Sequence, residues 1–114
     1  MKEYLFLFRG GAHETLSPEG TQEHMQRWMQ WMQSLAQQGK LSGAQPLDKS
    51  GKQLAGTKKV QTDGPFMEGK EMVGGYLICK AGTYDEAMEI AKSCPILEFE
   101  TGNVEVREIQ ELKM

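Results

Sequence analysis

Scarcity bounds the function of this sequence before any motif does. Only two cysteines occur in 114 residues. Cys79 and Cys94 have neither CxxC spacing nor the density of a disulfide scaffold, so a reducing compartment is expected, with the cytoplasm as the default location. No apolar run approaches the ~20 residues of a membrane-spanning helix. The opening stretch from Met1 to Phe8 superficially looks like a signal core, but Arg9 interrupts it and no small-residue cleavage site follows, so a strand is the better reading. Basic charge is also lacking: 13 Lys and Arg against 16 Asp and Glu leave a net charge of −3. With no excess to neutralise phosphates, and only the short Lys58-Lys59 pair, nucleic-acid binding is not expected. The two histidines, His13 and His24, form no i, i+4 ligand pair, and Gly10-Gly11 alone is no phosphate loop. Neither a metal nor a cofactor is expected.

What is present describes a globular domain, with 39% hydrophobic and 25% charged residues. The length suits a single domain over residues 1–114. A domain of this size often buries further apolar surface by oligomerising.

Residues 2–9 read as a strand with Tyr4, Phe6 and Phe8 on one face and Leu5 and Leu7 on the other. Both faces are apolar, which requires cover on both sides of the sheet. Ser17-Pro18-Glu19 is a helix start, and Gly39 is a stop in the left-handed conformation. Between them Met25, Trp28, Met29, Met32, Leu35 and Ala36 recur at three- and four-residue spacing as one apolar face, with Trp31 on its flank. Leu41 to Leu47 is a short strand. Lys52 to Gly56 and Lys58 to Thr62 form an exposed, lysine-bearing hairpin. Tyr76 to Lys80 is again apolar on both faces, and Gly74-Gly75 before it permits a bulge or close backbone approach. Thr83 and Glu86 form a capping-box pattern ahead of Ala87, Met88, Ile90 and Ala91, with Pro95 as the helix stop. Val104 to Ile109 is the last strand.

This order predicts an α+β class of ferredoxin-like plan: an antiparallel sheet with two helices on one face. The helices cover one face only. The same face of a second copy is the simplest cover for the other, which gives a homodimer in the form of a dimeric α+β barrel.

The run Thr62-Asp63-Gly64-Pro65-Phe66, with Glu68, Lys70-Glu71 and Gly74-Gly75-Tyr76, resembles the YCII-related family. More narrowly it is similar to the branch named for its Asp-Gly-Pro-Phe motif. The likeness extends to the strand ending in Arg9, to Asp85-Glu86-Ala87, to Cys94-Pro95 and to Val104-Glu105-Val106-Arg107, nearly the whole chain. The resemblance implies the same dimeric α+β barrel, akin to small-molecule enzymes. Some members carry a His–Asp pair proposed to be catalytic. Genes of the branch often neighbour those for extracytoplasmic-function sigma factors, which implies a tie to transcription. The histidine in question lies on the first helix, where His24 is the only one; counted from Gly39, the matching position is closer to Trp28.

Asp63 is the strongest candidate, because Gly64-Pro65 would hold its carboxylate rigidly at the barrel mouth as a general base or ligand contact. The plain alternative is a turn in which it accepts backbone N–H groups. His24 would transfer protons if a carboxylate orients it; otherwise it is a solvated helix residue. Arg9 and Arg107 would clamp an anion if they face the barrel, or else pair with Glu105, Glu71 or Glu108. Trp28, Phe66 and Tyr76 complete the expected ligand contacts. Cys94, at a helix C-terminus, is not a nucleophile, since the dipole there raises its pKa. The function expected is small-molecule binding, with any chemistry being cofactor-independent proton transfer or lyase-like work: Asp63 as base, His24 or Tyr76 assisting. The alternative is a non-catalytic dimeric interaction module, linked to regulation of transcription. A pocket where Asp63, an arginine and aromatics converge separates the first from the second.

Overall fold

Burial alternates residue by residue along β1 (Lys2–Arg9) in the computed structural model, which describes residues 1–11, 16–63 and 72–112. Tyr4, Phe6 and Phe8 are buried while Leu5 and Leu7 are only half-buried. That period of two is the geometry of a strand between two faces. β1 is central. It pairs antiparallel with β5 (Val73–Ala81) on one side and with β6 (Asn103–Glu108) on the other, and β2 (Leu41–Pro46) pairs with β5. The sheet order is β2-β5-β1-β6. With α1 (Pro18–Gln37) after β1 and α2 (Tyr84–Lys92) after β5, this is the split βαβ arrangement of the ferredoxin-like fold. A separate hairpin of β3 (Gln53–Ala55) and β4 (Val60–Thr62) is inserted between β2 and β5, exposed along its whole length.

β5 is longer than the expected Tyr76 to Lys80. Its register against β1 skips Gly74, because Phe8 pairs with Gly75 and Arg9 with Val73. A side chain at Gly75 would also crowd the Gln45 carbonyl, so a glycine there lets β2 approach. β6 stops at Glu108, and Ile109 beyond it only donates its amide to the Glu3 carbonyl at 2.9 Å.

Both helices are capped, with one difference from expectation. Ser17 Oγ accepts the Gly20 amide at 3.0 Å, and Gly39 ends α1 at φ 72°. Thr83 Oγ1 accepts the Glu86 amide at 3.1 Å, but the Glu86 carboxylate takes the Gly82 amide at 3.0 Å rather than that of Thr83. The box is displaced by one residue. Pro95 does not end α2, which stops at Lys92; Pro95–Glu98 forms a 3-10 turn of its own.

The buried face of α1 is not the methionine face. His24, Trp31 and Leu35 are buried and Trp28 and Met32 half-buried, whereas Met25 and Met29 are 56% and 61% exposed. The stripe runs 24, 28, 31, 35, so Trp31 is at its centre and not on its flank. Ala36 and, on α2, Met88 are exposed as well. The reason is area: both indoles meet the ring of Phe8 edge-on, with centroids 5.0 and 6.3 Å away. Burying two indoles outweighs burying two flexible methionines.

The helices join the core through Tyr4, Phe6, Phe8, Leu77 and Cys79, all on one side of the sheet. Leu5, Leu7, Tyr76 and Ile78 lie on the other, half-buried and, among the described residues, without a helix over them. The molecule is thus a two-layer slab, 19 Å across its thinnest extent. Among the described residues no helix is long and apolar enough to cross a membrane.

Leu35→Ala should cost about 2–5 kcal/mol in urea unfolding, as a core truncation does. Met29→Ala should stay within about 0.5 kcal/mol. Equal losses would put the helix in the orientation that the methionine spacing suggests.

Candidate functional site

Two glycines bring the chemistry together. At Gly10, φ is 75° and a Cβ would overlap the Thr101 carbonyl; at Gly102 it would overlap that of Ile96. No larger residue permits these approaches. They press the segment from Pro95 to Gly102 onto the end of β1, where the Gly11 amide also donates to Thr101 Oγ1 at 3.1 Å. The segment carries Glu98 and Phe99 to the side of α1.

There Glu98 meets His24. Glu98 Oε2 lies 3.1 Å from His24 Nδ1, across 74 residues of sequence. Trp28, one helical turn after His24, donates its indole N–H to His24 Nε2 at 2.9 Å. An indole nitrogen only donates, so Nε2 must accept, and the proton of the neutral ring resides on Nδ1, pointing at Glu98. The contact between Nδ1 and Glu98 is therefore a hydrogen bond from a neutral imidazole to a carboxylate, not an ion pair. Arg27 binds the same carboxylate with both arms, Nε to Oε1 at 2.7 Å and Nη2 to Oε2 at 3.0 Å. Phe99 packs edge-on to the imidazole, 4.9 Å between centroids. His24 is 5% exposed, which replaces the solvated helix histidine of the plain reading.

The charges follow from these contacts. The Arg27 guanidinium holds the Glu98 carboxyl below the usual carboxylate range; burial opposes it, and the hydrogen bond from His24 adds a lesser lowering. Glu98 in turn raises Arg27. Glu98 is thus an anion across the working pH range, fixed by Arg27 and aimed at His24. An open groove of about 450 Å³ between α1 and the 3-10 turn, lined by Arg27, Trp31, Lys92, Ser93, Leu97 and Glu98 among others, reaches this carboxylate from outside.

The expected site residues fall into separate places. His24 and Trp28 meet, on the helix side of the sheet. Arg9, Tyr76 and Arg107 lie on the opposite, open face. There Arg9 Nη1 binds Glu105 Oε1 at 2.7 Å, and Arg107 Nε is 3.9 Å from Glu105 Oε2. Asp63 stands exposed just after β4 and has no hydrogen-bond partner among the described residues. Phe66, with Glu68, Lys70 and Glu71, lies outside the described residues. Glu98 and Arg27 escaped the sequence reading: no spacing signal joins a helix surface to a turn 71 residues away. The Cys94 thiol is pushed up to about 12, chiefly by burial rather than by the helix end, and it is inert for that reason.

A carboxyl held low stabilises the fold fully above the ordinary carboxylate range, and that stabilisation is lost as pH falls through the lowered value. Glu98→Gln should therefore lower the unfolding midpoint at neutral pH and flatten part of the wild-type decline below about pH 4. Parallel wild-type and variant profiles would contradict the assignment.

Comparison with functionally curated proteins finds no significant match. Among solved structures, the 5-chloro-2-hydroxyhydroquinone dehydrochlorinase of Burkholderia phenoliruptrix AC1100, in complex with 2,5-dihydroxybenzoquinone, is similar over 90% of this chain and 90% of its own, at 19% identity and a TM-score of 0.49. The YCII-related domain model matches residues 4–113, from the first core strand to the C-terminal end. The chain belongs to the YCII-related family.

Proposed function

We propose that this YCII-related protein, of the Asp-Gly-Pro-Phe branch by its Thr62-to-Phe66 run, is a cytoplasmic homodimer that binds a small molecule and performs cofactor-independent proton transfer or lyase-type chemistry on it. The observation that carries this reading is the state of His24: buried, neutral, and oriented by a carboxylate that is itself fixed by Arg27. A neutral imidazole oriented by a third group is one arrangement of a general base. A proton arriving at Nε2 makes an imidazolium whose Nδ1–H already faces Glu98, so the charge is stabilised with no rearrangement of that pair. His24 thereby takes the role of base that the sequence reading gave to Asp63.

Asp63 and Phe66 enter the proposal as ligand contacts on the connection that leads into β5. That strand begins with Val73, the partner of Arg9 at the end of β1, next to Gly10. Arg9, Tyr76 and Arg107 belong to the open face. Homodimerisation through that face is supported by the half-buried Leu5, Leu7, Tyr76 and Ile78, and by charges of both signs at its margin. Such a surface would meet its own copy across a twofold axis. Two buried, unpaired thiols accord with a reducing compartment.

A second reading, a non-catalytic dimeric module with a regulatory role in transcription, has two observations in its favour. Trp28 occupies the Nε2 lone pair, and Glu105 occupies Arg9.

Thermal melts against a metabolite library, on wild type, Asp63→Asn and His24→Gln, separate the two. At 100 times its Kd a ligand adds about 2.7 kcal/mol of stability. The enzyme reading expects a compound class that raises the wild-type midpoint by several degrees and moves the variants less. No response to any class, with variants that simply melt earlier, supports the module.

A further inference from the structure

The nitrogen of His24 that would take up a proton is covered in this fold. Nε2 accepts the Trp28 N–H at 2.9 Å, while Nδ1 is committed to Glu98. We propose that Trp28 is a latch on His24, and that the ligand of this site is a planar ring whose own O–H or N–H replaces the indole N–H at Nε2. The proposal rests on the reading of His24 as a proton acceptor.

The two tryptophans of α1 differ in the way a latch requires. Trp31 is buried, and its N–H is tied to another element: it donates to Ser93 Oγ at 2.9 Å, and that hydroxyl donates to the Ile90 carbonyl at 2.8 Å. Trp28 is only half-buried, and its hydrogen bond stays within its own helix. Releasing it gives up that bond and edge contacts with Phe8 and Trp31, at 5.0 and 5.7 Å, and leaves His24 held by Glu98 and Arg27.

The vacated space defines the ligand. It is the space that the indole now fills in edge contact with Phe8, Trp31 and the imidazole, which another planar ring would fit. Nε2 presents a lone pair and the Glu98 anion lies behind the ring, so the incoming group must donate a hydrogen bond and an anion is disfavoured. When the donor is a ring hydroxyl, its O–H bond breaks, the electron pair stays on oxygen and the proton forms the N–H bond at Nε2. The imidazolium then stands between the new oxyanion and Glu98.

Diethyl pyrocarbonate, which acylates the free imidazole lone pair, tests this on the folded protein, with the rate at His24 followed by peptide mass spectrometry. Trp28→Phe should be modified about tenfold faster than wild type, the worth of one buried hydrogen bond. Phenol should slow the variant's reaction and benzoate should not. Equal rates in the two proteins would overturn the latch while leaving His24 reachable. No modification in either would overturn the latch together with the reading of His24 as a base. Equal protection by benzoate would overturn the ligand class. If Trp28→Phe loses its fold, nitrogen-15 shifts of wild-type His24 at neutral pH decide: an unprotonated Nε2 is required, and the opposite tautomer or an imidazolium refutes the proposal.

Discussion

The sheet has two apolar faces and one layer of helices. This imbalance governs the rest of the structure. β1 and β5 alternate large apolar residues to both sides, and α1 and α2 can bury only the side of Tyr4, Phe6, Phe8, Leu77 and Cys79. A half-buried Leu or Ile gains only part of the 1.5–3 kcal/mol or so that full burial provides. Leu5, Leu7, Tyr76 and Ile78 therefore leave stabilisation unrealised in a single copy. The proposed second copy would recover it without any new sequence feature, because an isologous contact reuses the same four residues.

The same sheet divides the polar chemistry. Arg9 and Arg107 face the open side with Glu105, whereas His24 sits behind the sheet with Trp28, Glu98 and Arg27. β1 ends at Arg9, immediately before Gly10. There the close approach of Gly10 and Gly102 to neighbouring carbonyls also brings Glu98 into reach of α1. The long-range carboxylate is a consequence of backbone packing at two glycines. It is not a local motif.

Much of the fold was legible because its signals are local and periodic. Alternation marked β1 and β5, Ser17 and Gly39 bounded α1, and Gly74-Gly75 foretold the skipped register against β1. The orientation of α1 was not legible. Met25 and Met29 fit an apolar stripe as well as His24 and Trp31 do, and only the position of Phe8 across the core selects the aromatic one. His24 was legible as a residue but not as a buried one, since its burial depends on Glu98 and Phe99 arriving from a turn that Pro95 had marked only as a helix stop. Contacts that span 71 and 74 residues leave no spacing to read.

In the proposed homodimer a second copy covers the open face of the sheet. Sedimentation equilibrium at micromolar concentration, on wild type and on Ile78→Glu, addresses it directly. A homodimer through this face gives twice the 12.8 kDa chain mass for wild type and the single-chain mass for the variant, with both proteins folded by circular dichroism. A wild type that sediments at 12.8 kDa, or a variant that remains dimeric, would contradict it.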